Sequence, residues 1–192
     1  MFPRFALLLV CLSPGVLHAG ERPLAIDFAQ SQVEVLVKAT VDSFTGHLTR
    51  FEPMITVGDD GMVSHARLAF HFRDVDTGKP KRDEAMHEWQ HTSEHPDGEF
   101  ILGSLHANPD QGFTAAGWLT FHGVRRELSF PATVTKDGTL YAIDGNAAVD
   151  TREYGLPIIR MFGLLKVDPV VHVRFHVQGR LPASAATAAV SP

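Results

Sequence analysis

The amino-acid sequence predicts an all-β protein, an antiparallel β-barrel of about eight strands with one short connecting helix. Apolar and polar residues alternate in several short runs, which is the pattern of strands that bury one face. Turn-forming pairs such as Asp60-Gly61 and Asp137-Gly138 separate these runs, and short turns connect antiparallel neighbours. Strands that are apolar on one face can bury that face by closing into a barrel, which also removes exposed edges.

Composition and charge limit the class of protein. The chain has 192 residues, of which 44% are hydrophobic and 20% charged, and this suits one globular domain with its own core. Its formal net charge is −5 and it contains no block of basic residues. Nucleic acid and anionic membrane surfaces are therefore not expected as partners.

The first nineteen residues differ from the rest and predict a secretory signal peptide. Arg4 gives a positive start, residues 5–12 form an apolar run, and Ala19 provides a small residue for cleavage. The run is too short to span a bilayer. Cys11 is the only cysteine and lies inside this segment, so disulfides and cysteine-bound metals are excluded from the mature chain.

Five runs show the clearest alternation. Their apolar faces carry Val33, Val35, Val37 and Ala39; Ala66, Leu68, Phe70 and Phe72; Phe113, Ala115, Gly117, Leu119 and Phe121; Leu128, Phe130, Ala132 and Val134; and Val171, Val173, Phe175 and Val177. An eight-stranded barrel is either filled by such side chains or just wide enough for one slender ligand. The share of small residues among these side chains leaves room for a ligand, although the alternation alone slightly favours a solid core.

Residues 83–94 lack alternation and predict the connecting helix. Asp83 is a candidate N-cap, and Met86, Trp89 and Ser93 share one stripe. The segment from residue 182 onward is of low complexity and predicts a disordered tail.

The same segment contains His87-Glu88-x-x-His91, which matches the helix signature of zinc metalloproteases. Two histidines one turn apart would bind the metal and the glutamate would polarise its water. His95 is a poor third ligand because Pro96 follows it and disfavours helical geometry. We interpret the motif as a coincidence in a histidine-rich chain, so no catalytic residue, metal or cofactor is predicted.

Six pieces of sequence together resemble the YceI-like family, over roughly residues 23–181. They are Leu24-Ala25-Ile26-Asp27, Gly46 with Phe51, Lys81-Arg82-Asp83 with Met86, His95-Pro96, LTFHGV at 119–124, and Arg152-Glu153-Tyr154-Gly155. The resemblance implies a periplasmic, lipocalin-like barrel that holds a polyisoprenoid, as a quinone or prenyl phosphate, in an elongated apolar pocket.

The sequence thus predicts a signal peptide at 1–19, one barrel domain at 20–181 and a tail at 182–192. We expect a non-enzymatic periplasmic carrier of a long isoprenoid or similar lipid, without stable membrane insertion. Arg152 and Tyr154 are candidates for the head group, although a surface ion pair is an equal alternative for Arg152. The complete set of predicted ligand-binding residues is Val35, Val37, Phe70, Phe72, Ala115, Leu119, Phe121, Arg152, Tyr154 and Phe175.

Two other functional classes stay open at this stage. One is a zinc-dependent hydrolase that uses His87, Glu88 and His91. The other is a binding module for an envelope protein, through the histidine and arginine faces of the strands at 65–73 and 172–176. The sequence does not decide whether the protein forms a homodimer.

Overall fold

The computed structural model describes residues 20–109, 112–161 and 165–182. The predicted signal peptide and nearly all of the predicted tail lie outside these residues. No helix in the described part of the chain is long and apolar enough to cross a membrane.

The described residues form an all-β fold with one α-helix, as predicted. The strands are β1 (Arg22–Pro23), β2 (Ala25–Ile26), β3 (Gln32–Val37), β4 (Phe44–Leu48), β5 (Glu52–Val57), β6 (Val63–His71), β7 (Val75–Asp76), β8 (Asp97–Ala107), β9 (Phe113–Phe121), β10 (Val124–Asp137), β11 (Leu140–Asp150), β12 (Arg160–Met161), β13 (Leu165–Lys166) and β14 (Val170–Arg180). The helix α1 is Pro80–Gln90, and 3-10 turns lie at Phe28–Gln30, Phe72–Asp74 and Thr151–Tyr154.

Twelve of the strands form one antiparallel sheet that curls into a half-barrel. The strand order is β1-β5-β6-β8-β9-β10-β11-β14-β3-β4-β7, with β2 paired to β14, while β12 and β13 form a separate hairpin. The expected number of eight strands is therefore wrong, and the strand pairing of the described residues does not show a closed barrel. The strand number was underestimated because β1, β2 and β7 have two residues each, too few to show alternation.

The five runs of alternation correspond to β3, β6, β9, β10 and β14, so these predictions are confirmed. Two of the predicted runs extend beyond the strands that the structure shows. Phe72 begins a 3-10 turn instead of continuing β6, and Ala39 lies beyond β3, where it forms an isolated bridge with Val167. The predicted turns at 60–61 and 122–123 lie between consecutive strands, and the turn predicted at 137–138 lies one residue later, because Asp137 ends β10.

Helix α1 is shifted toward the N-terminus relative to the prediction. Pro80 occupies the first turn, where its missing N–H costs no hydrogen bond. Asp83 is not the N-cap, because the N-cap is Lys79 and Asp83 lies inside the helix; its carboxylate accepts hydrogen bonds from the backbone N–H and the hydroxyl of Thr77, at 3.1 and 2.6 Å. The helix ends at Gln90 because His91 adopts the left-handed conformation, with φ 53°.

One end of the half-barrel, called the closed end below, is sealed by buried apolar residues. The segment of β1 and β2 bridges β5 and β14, with hydrogen bonds from Leu24 N to Ile55 O and from Asp27 N to Gln178 O, both 2.8 Å. The cluster beneath it consists of Leu24, Ile55, Val57, Tyr141, Val177 and Leu181. Val57 and Tyr141 are 0% exposed, so this end is fully covered.

The opposite end, called the helix end, is covered by α1, residues 91–96, the His122-Gly123 turn and the 3-10 turn Thr151–Tyr154. Met86 and Trp89 of α1 pack onto the apolar interior. The indole N–H of Trp89 donates to the carbonyl of Pro157 at 2.8 Å, and the carboxamide of Gln90 donates to the carbonyl of His95 at the same distance. The helix therefore covers this end, as expected from its place between two strands.

Candidate functional site

The inward side chains of β9, β10 and β11 form what we call the packed wall. Its residues contact one another closely and are nearly inaccessible to solvent. They are Ala115, Leu119, Phe121, Phe130, Ala132, Ala147 and Val149. Three predicted ligand-binding residues, Ala115, Leu119 and Phe121, lie in this wall.

Part of the inward face of β3, β6 and β14, together with Phe72 of the 3-10 turn after β6, forms a contrasting surface, which we call the half-covered wall; Val33 and Val177 on the same strands are buried and do not belong to it. The residues of this wall lie on the core-facing side but remain half-buried. They are Val35, Val37, Leu68, Phe70, Phe72, Val171, Val173 and Phe175. Val35 lies directly opposite Val173 in the β3–β14 register, so the two strands present one continuous apolar surface. Five of the predicted ligand-binding residues, Val35, Val37, Phe70, Phe72 and Phe175, belong to it.

Two rows of aromatic rings connect the walls. In the first row, Phe72 contacts Phe70 at 5.2 Å and Phe121 at 5.1 Å between ring centroids, and Phe121 contacts Tyr154 at 5.2 Å. In the second row, Phe130 contacts Phe100 at 5.3 Å and Phe175 at 5.8 Å.

Two strand glycines allow phenylalanine rings to lie against the sheet. Phe70 is paired with Gly98, and Phe175 with Gly145. A Cβ atom at either glycine would collide with the ring across from it. The sequence analysis did not single out these glycines, although an isolated glycine inside a strand is a known sign of such a close approach.

An open groove of about 1010 Å³ lies beside Phe70. Its apolar part includes Leu48 and Phe51, which pack onto the same cluster as the half-covered wall. Its rim carries charged side chains, and several of them are paired with a side chain of opposite charge. Arg50 pairs with the buried Asp74 at 3.3 Å, Arg67 pairs with Glu99 at 2.5 Å, and His71 pairs with Asp97. Sequence reasoning missed this groove because its lining comes from five separate segments.

Arg152 is exposed and bound to Asp150. Its Nε atom lies 2.9 Å from Asp150 Oδ1 and its Nη2 atom 2.5 Å from Oδ2, and its side chain is 55% exposed. This hydrogen bond lowers the pKa of Asp150. The geometry matches the surface ion pair given as the alternative above, and a contact to a head group stays a prediction.

Tyr154 is buried, with 2% of its surface exposed. Its ring packs against Phe121, and this burial raises the pKa of Tyr154. Its backbone carbonyl accepts a hydrogen bond from Nδ1 of His122 at 2.9 Å. The ring of Tyr154 therefore packs into the apolar cluster at the helix end.

The His87-Glu88-x-x-His91 motif does not have the geometry of a zinc-protease helix. His91 is the left-handed C-cap, so it does not lie one turn after His87 on the same helix face. His87 Nδ1 lies 3.1 Å from the hydroxyl of Thr92. Within the described ranges, no three His, Cys, Asp or Glu side chains are grouped so that they could hold a metal ion.

Some outward histidines on the strand faces that suggested a protein-binding module are paired with acids. His65 lies 3.2 Å from Glu21, and His176 lies 2.7 Å from Asp144. By contrast, no ion pair involves His172 or Arg174 among the described residues, and a role of these faces in binding a protein stays a prediction.

The chain matches the family model of the YceI-like domain over residues 24–179. Among solved structures, Burkholderia cenocepacia BcnA has a TM-score of 0.71 at 17% identity, covering 80% of this chain and 99% of its own. A polyisoprenoid binding domain from Saccharophagus degradans, implicated in plant cell wall breakdown, has a TM-score of 0.60 at 15% identity, with 83% and 99% covered. The Campylobacter jejuni YCEI protein has 0.63 at 13% identity, with 75% and 88% covered. At these identities the structures share the fold, and no curated protein matches the chain.

Proposed function

The chain belongs to the YceI-like domain family, and from this premise we propose that it is a non-enzymatic binding protein for a long isoprenoid, a quinone or a prenyl phosphate, or a similar lipid. One observation carries the proposal: the half-covered wall presents inward-facing apolar side chains that the fold leaves incompletely buried. The domain of like fold from Saccharophagus degradans is described as polyisoprenoid-binding, which supports the same class of ligand.

Burial of apolar surface supplies the driving force. Each methylene removed from water contributes about 0.8 kcal/mol, so a few isoprene units could contribute more than roughly 8 kcal/mol before the costs of ordering and association. The wall that supports this burial extends over β3, β6 and β14. Ligand length would therefore determine affinity more than any single polar contact.

The charges around the groove favour an uncharged head group. Arg50 and Arg67 line the groove and are each bound to a carboxylate. A pyrophosphate would have to break such pairs, whereas a quinone carbonyl needs one hydrogen-bond donor. Arg73 lines the groove and has no ion pair among the described residues, so it can supply that donor. A quinone therefore fits this surface better than a prenyl phosphate.

The proposed role is that of a periplasmic carrier. The expected signal peptide at residues 1–19 supports export, and the apolar wall would shield a lipid tail from the aqueous space between membranes. The fold supports ligand binding without any catalytic step, because the proposed contacts to the lipid tail are apolar side chains.

Mass spectrometry of an organic extract tests this proposal. Protein purified without detergent should contain one class of isoprenoid or similarly long lipid, at nearly one molecule per chain. Val173→Gln, on the half-covered wall, should lower the bound lipid at least about tenfold, because an unpaired amide in an apolar site is costly. Arg174→Gln, its outward neighbour on β14, is the control and should retain the lipid. A lipid-free extract from a folded protein that also fails to bind added quinone would refute the proposal.

A further inference from the structure

Three histidines meet at the helix end, outside both walls. The rings of His95 and His122 lie 4.3 Å apart between centroids in an edge-to-face contact, and His91 lies 6.2 Å from His122. The proposed lipid contacts do not use these residues. The cluster joins two of the segments that cover the helix end, the turn after α1 and the β9–β10 turn.

Backbone strain is concentrated in the same cluster. His91, with φ 53°, and His122, with φ 49°, are the non-glycine residues of positive φ in the described part of the chain. His122 and Gly123 form a two-residue hairpin turn in which both residues have positive φ. Such turns strongly prefer Asn or Asp at the first position. Histidine at this strained position indicates that its side chain has a specific task.

The side-chain contacts of His122 fix its tautomer. Nδ1 lies 2.9 Å from the carbonyl oxygen of Tyr154, and because a carbonyl only accepts, Nδ1 carries the hydrogen. In the neutral ring Nε2 is then an acceptor. This Nε2 is buried without a hydrogen-bond partner, alone among the buried side-chain nitrogens and oxygens of the described residues.

A second proton on His122 would place a charged N–H where nothing accepts it. The titratable or charged residues on the segments packed around the ring are His91, Glu94, His95, Arg126, Arg152, Glu153 and Tyr154. None of them accepts from Nε2. Arg152 is already bound to Asp150, and the nearest ring, His95, would add like charge if it were protonated as well. The closed arrangement therefore suits the neutral ring only.

We propose that His122, with His95 packed against it, is a proton-sensitive latch that holds the helix end closed. The neutral ring ties the His122-Gly123 turn to the 3-10 turn Thr151–Tyr154 through the carbonyl of Tyr154. In the closed state an N–H at Nε2 would meet no acceptor, whereas opening would let water accept from it. A fall in pH therefore shifts the helix end toward the open state, and a rise restores the closed state. The opening itself does not depend on the proposed function. Its consequence, easier access of a lipid to the half-covered wall, rests on the proposed function.

Hydrogen exchange measured by mass spectrometry tests the latch in the lipid-free protein. After correction for intrinsic rates, peptides covering residues 86–96 and 150–158 should exchange at least about tenfold faster near pH 5 than near pH 7.5, the range in which histidines titrate. Peptides from the closed end, around residues 141 and 177, should not change. The absence of acceleration at the helix end would overturn the proposal.

A matched variant separates His122 from the other histidines. His122→Asn tolerates the left-handed backbone, and its amide can still donate to Tyr154 O, but it does not titrate. The pH effect should disappear in this variant and persist in His87→Gln, which removes a neighbouring histidine outside the cluster. An undiminished pH effect in His122→Asn would refute the proposal.

The tautomer provides a readout that does not depend on any variant folding. Long-range proton–nitrogen NMR spectra of the unmodified protein at neutral pH should show His122 protonated at Nδ1. A ring protonated at Nε2 would overturn the latch. Neither readout requires bound lipid, so the latch and the proposed lipid binding fail or stand separately.

Discussion

The closed end and the helix end are built on the same strands but are covered to different degrees. On β14, Val177 at the closed end is 4% exposed, whereas Val173 nearer the helix end is half-buried. The alternation of Val171, Val173, Phe175 and Val177 is uniform along this strand. The difference therefore comes from the segments that fold over each end, and not from the strands themselves.

At the closed end, two chain segments outside the long strands add apolar side chains. Leu24 and Leu181 pack onto Ile55, Tyr141 and Val177, which are at most 6% exposed. At the helix end, α1 contributes Met86 and Trp89, and Val35 and Val37 of β3 remain half-buried although Val33 is buried. The comparison teaches that the segments over the closed end bury the inward side chains of β14 at that end almost completely, whereas those over the helix end bury Tyr154 but leave the half-covered wall partly exposed.

Removal of the Tyr141 side chain should give the largest loss of stability. Tyr141 is fully buried, and its hydroxyl donates to the carbonyl of Gly61 at 3.1 Å. Tyr141→Ala should lower the free energy of unfolding by about 3 to 5 kcal/mol, as large-to-small changes do in a core that cannot collapse. Urea unfolding followed by tryptophan fluorescence measures this change. Tyr141→Phe, the control that retains the ring, should cost about 1 kcal/mol, the worth of one hydrogen bond.

A pair of identical substitutions on β14 tests the comparison directly. Val177→Ala should cost about 2 to 3 kcal/mol, because a buried site loses both the transfer energy and the packing around the cavity. Val173→Ala should cost about 1 kcal/mol, because its surroundings are already half-open to solvent. Equal costs at both positions, in the same urea experiment, would show that the two ends are equally packed.

Gly98→Ala should affect the ligand more than the fold. A Cβ at Gly98 would collide with the ring of Phe70 and push the ring away from the sheet, toward the groove. We expect a stability loss of about 1 to 2 kcal/mol from overpacking, together with a clear loss of bound lipid in the extract. Gly103→Ala on the same strand is the control, because its Cβ would meet backbone atoms only at ordinary distances, starting at 3.4 Å. A full lipid load in Gly98→Ala would remove the Phe70 side of the groove from the binding site.

The long strands and their inward faces were predictable from the sequence, because period-two alternation reports a half-buried strand directly. Strands β1, β2 and β7 were not predictable, since two residues cannot show a period. The N-terminus of α1 was misplaced because an aspartate at the start of a segment without alternation resembles an N-cap in the sequence. In the structure the helix begins at Pro80, and Asp83 binds Thr77 instead. The sequence did not distinguish the two walls, because side-chain exposure depends on which distant segments cover each strand.

The smallest effect is expected at Arg152, for which the sequence analysis left two roles open and the structure favours the surface ion pair. Arg152 donates to Asp150 through its side chain and its backbone N–H, so the carboxylate is held in its charged form and its pKa is lowered. The sign follows from linkage: the pair stabilises the folded state above the ordinary pKa of the carboxyl, and this stabilisation is lost as pH falls through the lowered pKa.

Because the pair is exposed, Arg152→Ala should leave the fold intact and change quinone affinity by less than about threefold at neutral pH. Fluorescence titration with a quinone and with a prenyl phosphate of equal chain length measures both affinities, with Asp150→Asn as the matched control. A tenfold loss confined to the prenyl phosphate would assign Arg152 to the head group and would move the ligand entrance from the groove beside Phe70 to the helix end.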